Sequence, residues 1–477
     1  MRKWISILLC LCLLLSLVAC GNADTANTTG GGQTTAAGQD EKGFRVGYAK
    51  VNITPEAKMD LWGYAQPTGQ RVYDEVLDYI YLTCVAVTDE HDNTVLLYGA
   101  DLGSMEALSA GAIQAVVNAK TDIPKENIFI NATHTHSAPD CAAMGSILND
   151  AAVKCAEEAL ADRKPAEMYF GTANTSGISF VRHYWDMDGK SVTDNHGNTA
   201  ATEFAGHTSE IDEEMRVLQF KREGGKDVLL VNWQCHPHLT GGPQKYSLSA
   251  DIVGAMRMYM EQDGEYLFAY YQGGAGNLNP TSRIKSEEAN PDRNYKVTGQ
   301  RLASAAKQAL QNMTKLGTGA IAVKTEIYTC QSNMEDLDKV EEARQVVDYF
   351  NAGHTASDTK PYAESLGLYS YYHANNLIHR GGKDPQFDIE ISVLTIGDLA
   401  WTIMPGEFFD TTTKYIRDNS PYTYNFTVAY TNGYFGYFPS QESWEYGCYE
   451  ADTAPVTPGT AEAIADRLLE MLGELHG

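Results

Sequence analysis

The chain is poor in basic residues for its length. Its 36 lysines and arginines stand against 62 aspartates and glutamates, giving a formal net charge of −26 over 477 residues. This balance argues against electrostatic binding to nucleic acid or to an anionic membrane face, because both need clustered positive charge. Outside the N-terminal segment there is also no apolar run long enough to span a bilayer. We therefore expect no nucleic-acid partner.

Several metal and nucleotide motifs are missing as well. There is no C-x-x-C pair and no H-E-x-x-H, and Ala138 stands where an H-x-H-x-D-H signature needs its aspartate. The glycine-rich segment 272–280 has no Gly-Lys-Ser/Thr after it and opens no helix as G-x-G-x-x-G, which excludes a phosphate loop there. Its glycines indicate either a simple tight turn or a sharp backbone turn beside a site.

The N-terminus has the form of a bacterial lipoprotein signal. A basic start, Met1-Arg2-Lys3, precedes a short apolar run and the lipobox Leu17-Val18-Ala19-Cys20. We expect residues 1–20 to be a lipoprotein signal peptide with its lipobox, cleaved so that Cys20 becomes the lipidated first residue of the mature protein. Residues 21–43 are expected to form a flexible tether, and residues 44–477 one domain. The protein would then be anchored to the bacterial cell membrane, facing outside. Ordinary secretion with a free Cys20 is the alternative.

Nine cysteines do not make a disulfide framework here. Two lie in the signal and Cys20 takes the lipid, which leaves scattered residues at 84, 141, 155, 235, 330 and 448. Free buried thiols are expected, with one disulfide as the alternative.

Two histidine pairs follow buried strands. A strand before Asp101, a helix over 105–120 and a strand over 128–131 predict a βαβ unit that ends at His134 and His136. Residues i and i+2 of a strand point to the same face, so strand geometry is expected to bring these two histidines together. A strand over 228–234 runs into His236 and His238, and Glu407 follows a third strand. The carboxyl ends of parallel strands are where open α/β sheets bind ligands. Imidazoles with a carboxylate suit Zn²⁺, so a zinc site is predicted.

Other segments give weaker signals. Residues 180–185 are expected to be irregular and to be either pocket-lining or a packed surface loop. Helices over 334–352 and 362–379 are expected to form an insertion that covers one side. The fold class is therefore α/β, with mixed β-sheets, βαβ units and flanking helices.

The sequence resembles the neutral/alkaline non-lysosomal ceramidases, which are zinc amidases acting on N-acyl sphingosine. The resemblance covers nearly all of 44–477 and rests on five segments in order: Gly47–Pro55 with Gly63-Tyr64-Ala65, Thr133–Pro139, the strand ending in His236, Pro405-Gly406-Glu407, and the block from Thr431-Asn432-Gly433-Tyr434 to Tyr449-Glu450. It implies a ceramidase-like catalytic domain.

Site residues follow from this resemblance. It implies that zinc is bound by four residues, His134, His236, Glu407 and Tyr437. It places His136 and Tyr449 beside the metal as oxyanion-stabilising catalytic residues, and Arg182 in contact with substrate. Asn277 is the catalytic-loop residue at the position of the family's serine, so no serine nucleophile stands there.

The expected activity is therefore zinc-dependent hydrolysis of an amide, or alternatively an ester, in a small-molecule or lipid-like N-acyl substrate that need not be ceramide. A surface lipoprotein that binds a ligand without turnover is the alternative from another class. A purely structural zinc is a third interpretation, although structural sites are usually closed by four cysteines and histidines.

Overall fold

The computed structural model describes residues 43–64, 69–193, 204–241, 244–280, 294–380 and 384–477, without the side chains of residues 357 and 380. They belong to one compact unit, Lys42–Gly477. The expected signal and the tether up to residue 42 lie outside the described residues. Among the helices that are described, none has the length and apolar character to cross a bilayer.

Most strands are short and buried, and the longest ones pair in two sheets. In chain order they are β1 (Arg45–Asn52), β2 (Glu75–Val76), β3 (Tyr81–Thr88), β4 (Thr94–Ala100), β5 (Ile128–Ala132), β6 (Lys164–Asn174), β7 (Phe180–Val181), β8 (His183–Asp186), β9 (Ser191–Thr193), β10 (Phe204–His207), β11 (Glu214–Arg222), β12 (Asp227–Trp233), β13 (Ser247–Leu248), β14 (Tyr266–Gln272), β15 (Leu278–Asn279), β16 (Thr314–Leu316), β17 (Ile321–Gln331), β18 (Gln386–Ile396), β19 (Leu399–Ile403), β20 (Glu407–Phe408), β21 (Tyr424–Val428) and β22 (Tyr437–Phe438).

The helices flank these sheets. They are α1 (Ala107–Thr121), α2 (Gly145–Ala161), α3 (Asp251–Glu261), α4 (Tyr295–Ala309), α5 (Val340–Asn351), α6 (Ala356–Ser365), α7 (Tyr371–Arg380), α8 (Asp410–Asn419), α9 (Gln441–Tyr446), α10 (Tyr449–Thr453) and α11 (Thr460–His476).

The architecture is two stacked sheets between two helical layers. The large sheet runs β14-β12-β11-β6-β1-β3-β4-β5, and the smaller one β17-β18-β19-β21. Val85 and Val87 of β3 face the smaller sheet, where Trp401 and Phe426 pack, while Cys84 and its alternate neighbours face α1 and α2. This alternation buries both faces of the large sheet. Helices α3 and α4 cover the rest of its outer face, and α8 and α11 cover the smaller sheet.

Three parallel strand pairs, each bridged by a helix, set the position of the site. They are β4–α1–β5, β12–α3–β14 and β19–α8–β21. The side chain of Asn131 ties two of them to the smaller sheet: its Oδ1 accepts from the Gln272 amide at 2.9 Å and its Nδ2 donates to the Ala429 carbonyl at 2.6 Å. The carboxyl ends of β5, β14 and β21 therefore meet at one edge. The α/β fold class with βαβ units is confirmed.

Some sequence-based expectations for local structure are wrong. Residues 180–185 are not irregular but contribute the short strands β7 and β8. The expected helix over 362–379 is split into α6 and α7, because Gly367 adopts φ +74 between them. Strands β6 and β11 and helix α4 were not foreseen. All six cysteines between residues 84 and 448 are free and buried, as expected.

Candidate metal centre

His134 and His136 lie on the turn that follows β5. Strand geometry was expected to bring them together, but β5 ends at Ala132 and the reason is different. His134 has φ +69, a left-handed conformation that costs a non-glycine residue about 1 kcal/mol or more. Its amide donates to the Leu102 carbonyl at 2.8 Å, which holds the turn. The two rings lie 4.9 Å apart between centroids.

His236 follows β12 and completes a cluster of three imidazoles. The ligand nitrogens of His134, His136 and His236 all lie within 4.8 Å of one another. His134 and His236 are 0% and 1% exposed, and His136 is 8% exposed. The structure thus brings both predicted histidine ligands to one buried point, with the predicted catalytic histidine beside them.

Glu407 points one oxygen at this cluster. Its Oε2 lies 3.3 Å from Nε2 of His134 and 3.3 Å from Nε2 of His236. Its Oε1 accepts a hydrogen bond from the Tyr434 phenol at 2.5 Å. Burial would raise the pKa of Glu407, but the two neighbouring histidines hold it well below its usual range. The carboxylate is thus ionised and aimed by Tyr434.

The histidine tautomers fit a bound cation. The Nδ1 atom of His134 lies 2.6 Å from the Gly103 carbonyl, and that of His236 lies 2.8 Å from the Ala275 carbonyl. A carbonyl only accepts, so each Nδ1 carries a proton, and Nε2 is the nitrogen that each ring turns toward Glu407 and that can offer a lone pair to a metal. Nε2 of His236 accordingly has no hydrogen-bond partner. An imidazole nitrogen and a carboxylate oxygen 3.3 Å apart need a cation between them, which is either a ring proton or a metal ion, so these residues fit a metal.

The glycine-rich segment 272–280 provides the backbone that carries part of this site. A Cβ on Gly276 would come within 2.7 Å of the Glu407 carbonyl oxygen, so only glycine allows the loop to approach β20 this closely. The loop also supplies the carbonyl that orients His236. Of the two expectations for these glycines, the sharp backbone turn beside a site is the one that the structure shows.

Tyr437 and Tyr449 lie near Glu407. Tyr437 is the register partner of Glu407 in the pair β20–β22. The Tyr449 ring packs edge-on against Tyr437, with 5.7 Å between centroids, and against Tyr372 of α7 at 5.4 Å. Burial raises the pKa of both Tyr437 and Tyr449 well above 10, and Glu407 adds to the shift. Both phenols are therefore neutral in the absence of a cation.

Arg182 is buried rather than on a surface loop. Its Nε donates to Oε1 of Glu450 at 2.5 Å and its Nη2 to the Tyr437 phenol at 3.2 Å. Burial alone would lower the pKa of Arg182, but Glu450 and Tyr437 raise it above the usual value. Burial would raise the pKa of Glu450, but Arg182 and His183 lower it to about 2. Both groups are charged at neutral pH.

Both the NH2 group and the oxygen of the Asn277 side chain are hydrogen-bonded to Asp410. Its Nδ2 donates to Oδ1 of Asp410 at 2.8 Å, and its Oδ1 accepts from the Asp410 amide at 3.0 Å. It is 1% exposed. The residue thus fixes the first turn of α8 to the glycine loop, and its catalytic role stays a prediction.

Several residues of the site escaped the sequence analysis. The Trp62 ring packs on His134 and His136 with centroids 5.3 and 5.2 Å away. A Cβ on Gly103 would lie 2.1 Å from that indole, so the same glycine that offers its carbonyl to His134 also makes room for Trp62. Tyr434 and Glu450 belong to the C-terminal tyrosine-rich block, and His183 directly follows Arg182, but no sequence pattern assigns these three residues a role.

Fold and geometry together define an α/β protein with a buried histidine and glutamate cluster of the kind that binds a metal. No protein-family model matches the chain. A curated relative, neutral ceramidase of Pseudomonas aeruginosa, is 22% identical over 275 residues, which cover 52% of this chain and 38% of that protein. The match therefore spans well under half of the relative's length.

Two solved structures share the fold. The crystal structure of neutral ceramidase from Pseudomonas aeruginosa superposes with a TM-score of 0.69 at 17% identity, covering 91% of this chain and 75% of that one. A ceramidase complexed with C2 gives 0.70 at 18% identity, with coverages of 91% and 76%. The chain has the fold of the neutral ceramidases, and the resemblance expected from the sequence is confirmed.

Proposed function

We propose that this chain is a metal-dependent hydrolase that cleaves the amide bond of an N-acyl substrate, with zinc as the metal. One observation carries the proposal. His134 and His236 both turn Nε2 toward Oε2 of Glu407, at 3.3 Å each, while the Nδ1–H of each ring donates to a backbone carbonyl, which leaves Nε2 as the nitrogen that can bind a metal. Two imidazoles and a carboxylate form a ligand set typical of catalytic zinc, which keeps a position for substrate or water.

The residues around the centre fit acyl transfer to water. When bound, zinc would activate water at neutral pH and polarise the substrate carbonyl. Burial lowers the pKa of His136 well below 6.5, and the neighbouring histidines add to the shift, so its ring is neutral and has one N–H to donate. His136 and Tyr449 would donate to the developing oxyanion, each lowering the barrier by about 3 kcal/mol. Trp62 and the buried ligands exclude bulk water.

The substrate class follows from the relatives. The matched proteins are ceramidases, and one was solved in complex with C2. This supports an N-acyl, lipid-like substrate for the present chain. Asn277 stands at the position where the resemblance expects serine, and Asp410 engages its amide. Serine-dependent steering of substrate hydroxyls is therefore not part of the proposal, and ceramide is one member of the class to be tested.

A second candidate function is a surface lipoprotein that captures its ligand without turnover. Asn277 favours it, because an amide that Asp410 holds at both ends cannot act as the nucleophile that a serine hydroxyl could be. The two functions differ in whether a bound metal supports cleavage.

Metal analysis of the purified protein, with a panel of N-acyl amides and ceramide, separates these functions. We expect about one zinc per chain and cleavage that a chelator abolishes and added zinc restores. Zinc binding without turnover on any member of the panel would favour the binding lipoprotein. Absence of zinc, with no turnover after zinc is added, would refute the hydrolase.

We also propose that Cys20 carries a lipid that holds the domain on the outer side of the bacterial membrane, since the lipobox precedes it directly. In the bacterial host, Cys20→Ser should move the protein from the membrane fraction to the medium or periplasm. Retention of the variant in membranes would refute the anchor.

A further inference from the structure

A buried chain of polar contacts runs from the metal centre to the strand β8. It starts at Tyr437, whose phenol accepts from Arg182 Nη2 at 3.2 Å. Arg182 in turn contacts Glu450, because its Nε donates to Oε1 at 2.5 Å and its Nη2 pairs with the same oxygen. The chain of contacts ends at His183, whose Nε2 lies 2.6 Å from Oε2 of Glu450. Arg182, His183 and Glu450 are 5%, 1% and 0% exposed. Taking a charged pair this far out of water carries a large desolvation cost, which raises the question of a role for the pair at the neighbouring site.

The same residues could be taken for a second metal site. One ligand atom each of His183, Cys448 and Glu450 lies within 4.8 Å of the others. However, both nitrogens of His183 are engaged, because Nδ1 contacts the Tyr446 phenol at 3.0 Å and Nε2 contacts Glu450. Both oxygens of Glu450 are engaged as well. The contacts therefore describe a completed hydrogen-bond network and not an open ligand set.

The network gives Arg182 a counter-ion of its own close to the metal centre. Arg182 is close enough to Glu407 for the two charges to interact. In a dry pocket, a guanidinium without its own counter-ion would be drawn to the nearest carboxylate. That carboxylate would be Glu407, whose Oε2 is the atom that faces the two histidines. Glu450 instead takes Nε and Nη2 of Arg182 and leaves the guanidinium against the Tyr437 phenol.

We propose that Glu450 and His183 are positioning residues for the metal centre. Glu450 holds Arg182 on Tyr437 and away from Glu407, and His183, itself held by Tyr446, orients the carboxylate of Glu450. Neither residue touches the substrate or the metal. The inference rests on the proposed metal centre and adds two residues that act through others.

Glu450→Gln tests this directly, because it keeps the side-chain shape and removes the charge. We expect zinc affinity, measured by competition with a chromophoric chelator, to fall about 10-fold to 100-fold, the range found when residues that orient metal ligands are changed. The visible spectrum of the Co²⁺-loaded protein should change, since the ligand arrangement changes. Glu445→Gln is the matched control, because Glu445 is exposed in the neighbouring helix α9 and loses the same charge. Its affinity and spectrum should match the wild type.

A double variant separates positioning from general stability. If Glu450 acts through Arg182, adding Glu450→Gln to Arg182→Met should change zinc affinity less than about twofold, because the guanidinium to be held is gone. This comparison does not need the Glu450→Gln single variant, because it is made between Arg182→Met, in which His183 still contacts Glu450, and the double variant, which carries neither of the two buried charges. A tenfold further loss in the double variant would overturn the inference.

The proposed metal centre and the proposed positioning roles of Glu450 and His183 would be refuted by different results. A wild-type protein that binds no zinc refutes the proposed metal centre itself. A wild type that binds zinc, with a Glu450→Gln variant equal to the Glu445→Gln control in affinity and in Co²⁺ spectrum, refutes only the positioning roles.

Discussion

Glu407 and Tyr437 lie directly opposite each other in the two-residue parallel pair of β20 and β22. The amide of Glu407 donates to the Gly436 carbonyl at 2.9 Å, which locks this register. Directly paired residues of a ladder send their side chains to the same face, so the backbone itself brings the carboxylate and the phenol together. The register thus places a phenol beside the carboxylate that is proposed to bind the metal.

Tyr437→Phe should therefore weaken metal binding without unfolding the protein. The variant removes one oxygen, which accepts a hydrogen bond from Arg182 at 3.2 Å. We expect zinc affinity to fall about 10-fold or more, because a direct ligand contributes at least as much as a residue that orients one. Chelator competition gives the affinity, and the apoprotein melting curve gives stability.

Tyr415→Phe is the control for this change. Its phenol is on α8, donates to Asp466 at 2.9 Å, and belongs to a side chain that is 44% exposed. Loss of such a surface hydrogen bond should leave zinc affinity unchanged. Equal affinities for the two variants would show that Tyr437 is not a ligand.

His134 and His136 should behave differently although one residue separates them. His134→Gln should abolish stoichiometric zinc binding, because it removes an Nε2 that faces Glu407 at 3.3 Å. His136→Gln should keep zinc but lower kcat by about 100-fold to 1,000-fold, the loss typical of one oxyanion donor. Metal content and turnover are measured on the same preparations.

Zinc loss in His136→Gln would contradict this division of roles. The three imidazoles lie close enough for three-histidine ligation. That outcome would make His136 a ligand and leave the oxyanion to Tyr449 alone.

The sequence predicted the parts of the site that depend on strand ends. His134, His236 and Glu407 each follow a buried strand, and parallel strands deliver their carboxyl ends to one edge. It could not predict contacts between segments far apart in sequence, such as that of Arg182 with Glu450, because composition and periodicity carry no information on pairing. The split between α6 and α7 was missed because a positive φ at Gly367 is a tertiary outcome. The reason given for the convergence of the two histidines was wrong, since His134 turns out of the strand.

Asn277→Ala should destabilise the fold more than it affects metal binding. The substitution leaves the Asp410 amide and one carboxylate oxygen without their buried partner. An unsatisfied buried polar group costs about 1–3 kcal/mol, so the free energy of unfolding in urea should fall by that amount. Asn277→Ser should lose a similar amount, since its hydroxyl is too short to replace both contacts. Zinc affinity close to that of the wild type would assign Asn277 to structure, whereas a large loss of kcat at unchanged stability would support the predicted catalytic role.

Asp452 should make the protein less stable as the pH rises. It lies in α10, where burial raises its pKa to about 7, and the carboxylates of Glu450, Asp336 and Glu335 add to the shift. An aspartate in the unfolded chain titrates near 3.9, so between about pH 4 and 7 the folded state binds more protons than the unfolded state. By linkage, the free energy of unfolding then decreases with increasing pH across that window and levels off above it.

Asp452→Asn isolates this contribution, because the amide keeps the volume and cannot ionise. Each unit of pKa shift corresponds to 1.36 kcal/mol, and partial contact with solvent reduces the total, so we expect the variant to be more stable than the wild type by roughly 1–3 kcal/mol at pH 8. Near pH 4, where the wild-type carboxyl is protonated in the folded state, the two proteins should have nearly equal stability. Urea titrations at pH 4, 6 and 8 measure this difference. Parallel curves for the two proteins at all three pH values would show that Asp452 does not hold its proton in the folded state, and that the repulsion from the neighbouring carboxylates is relieved in some other way.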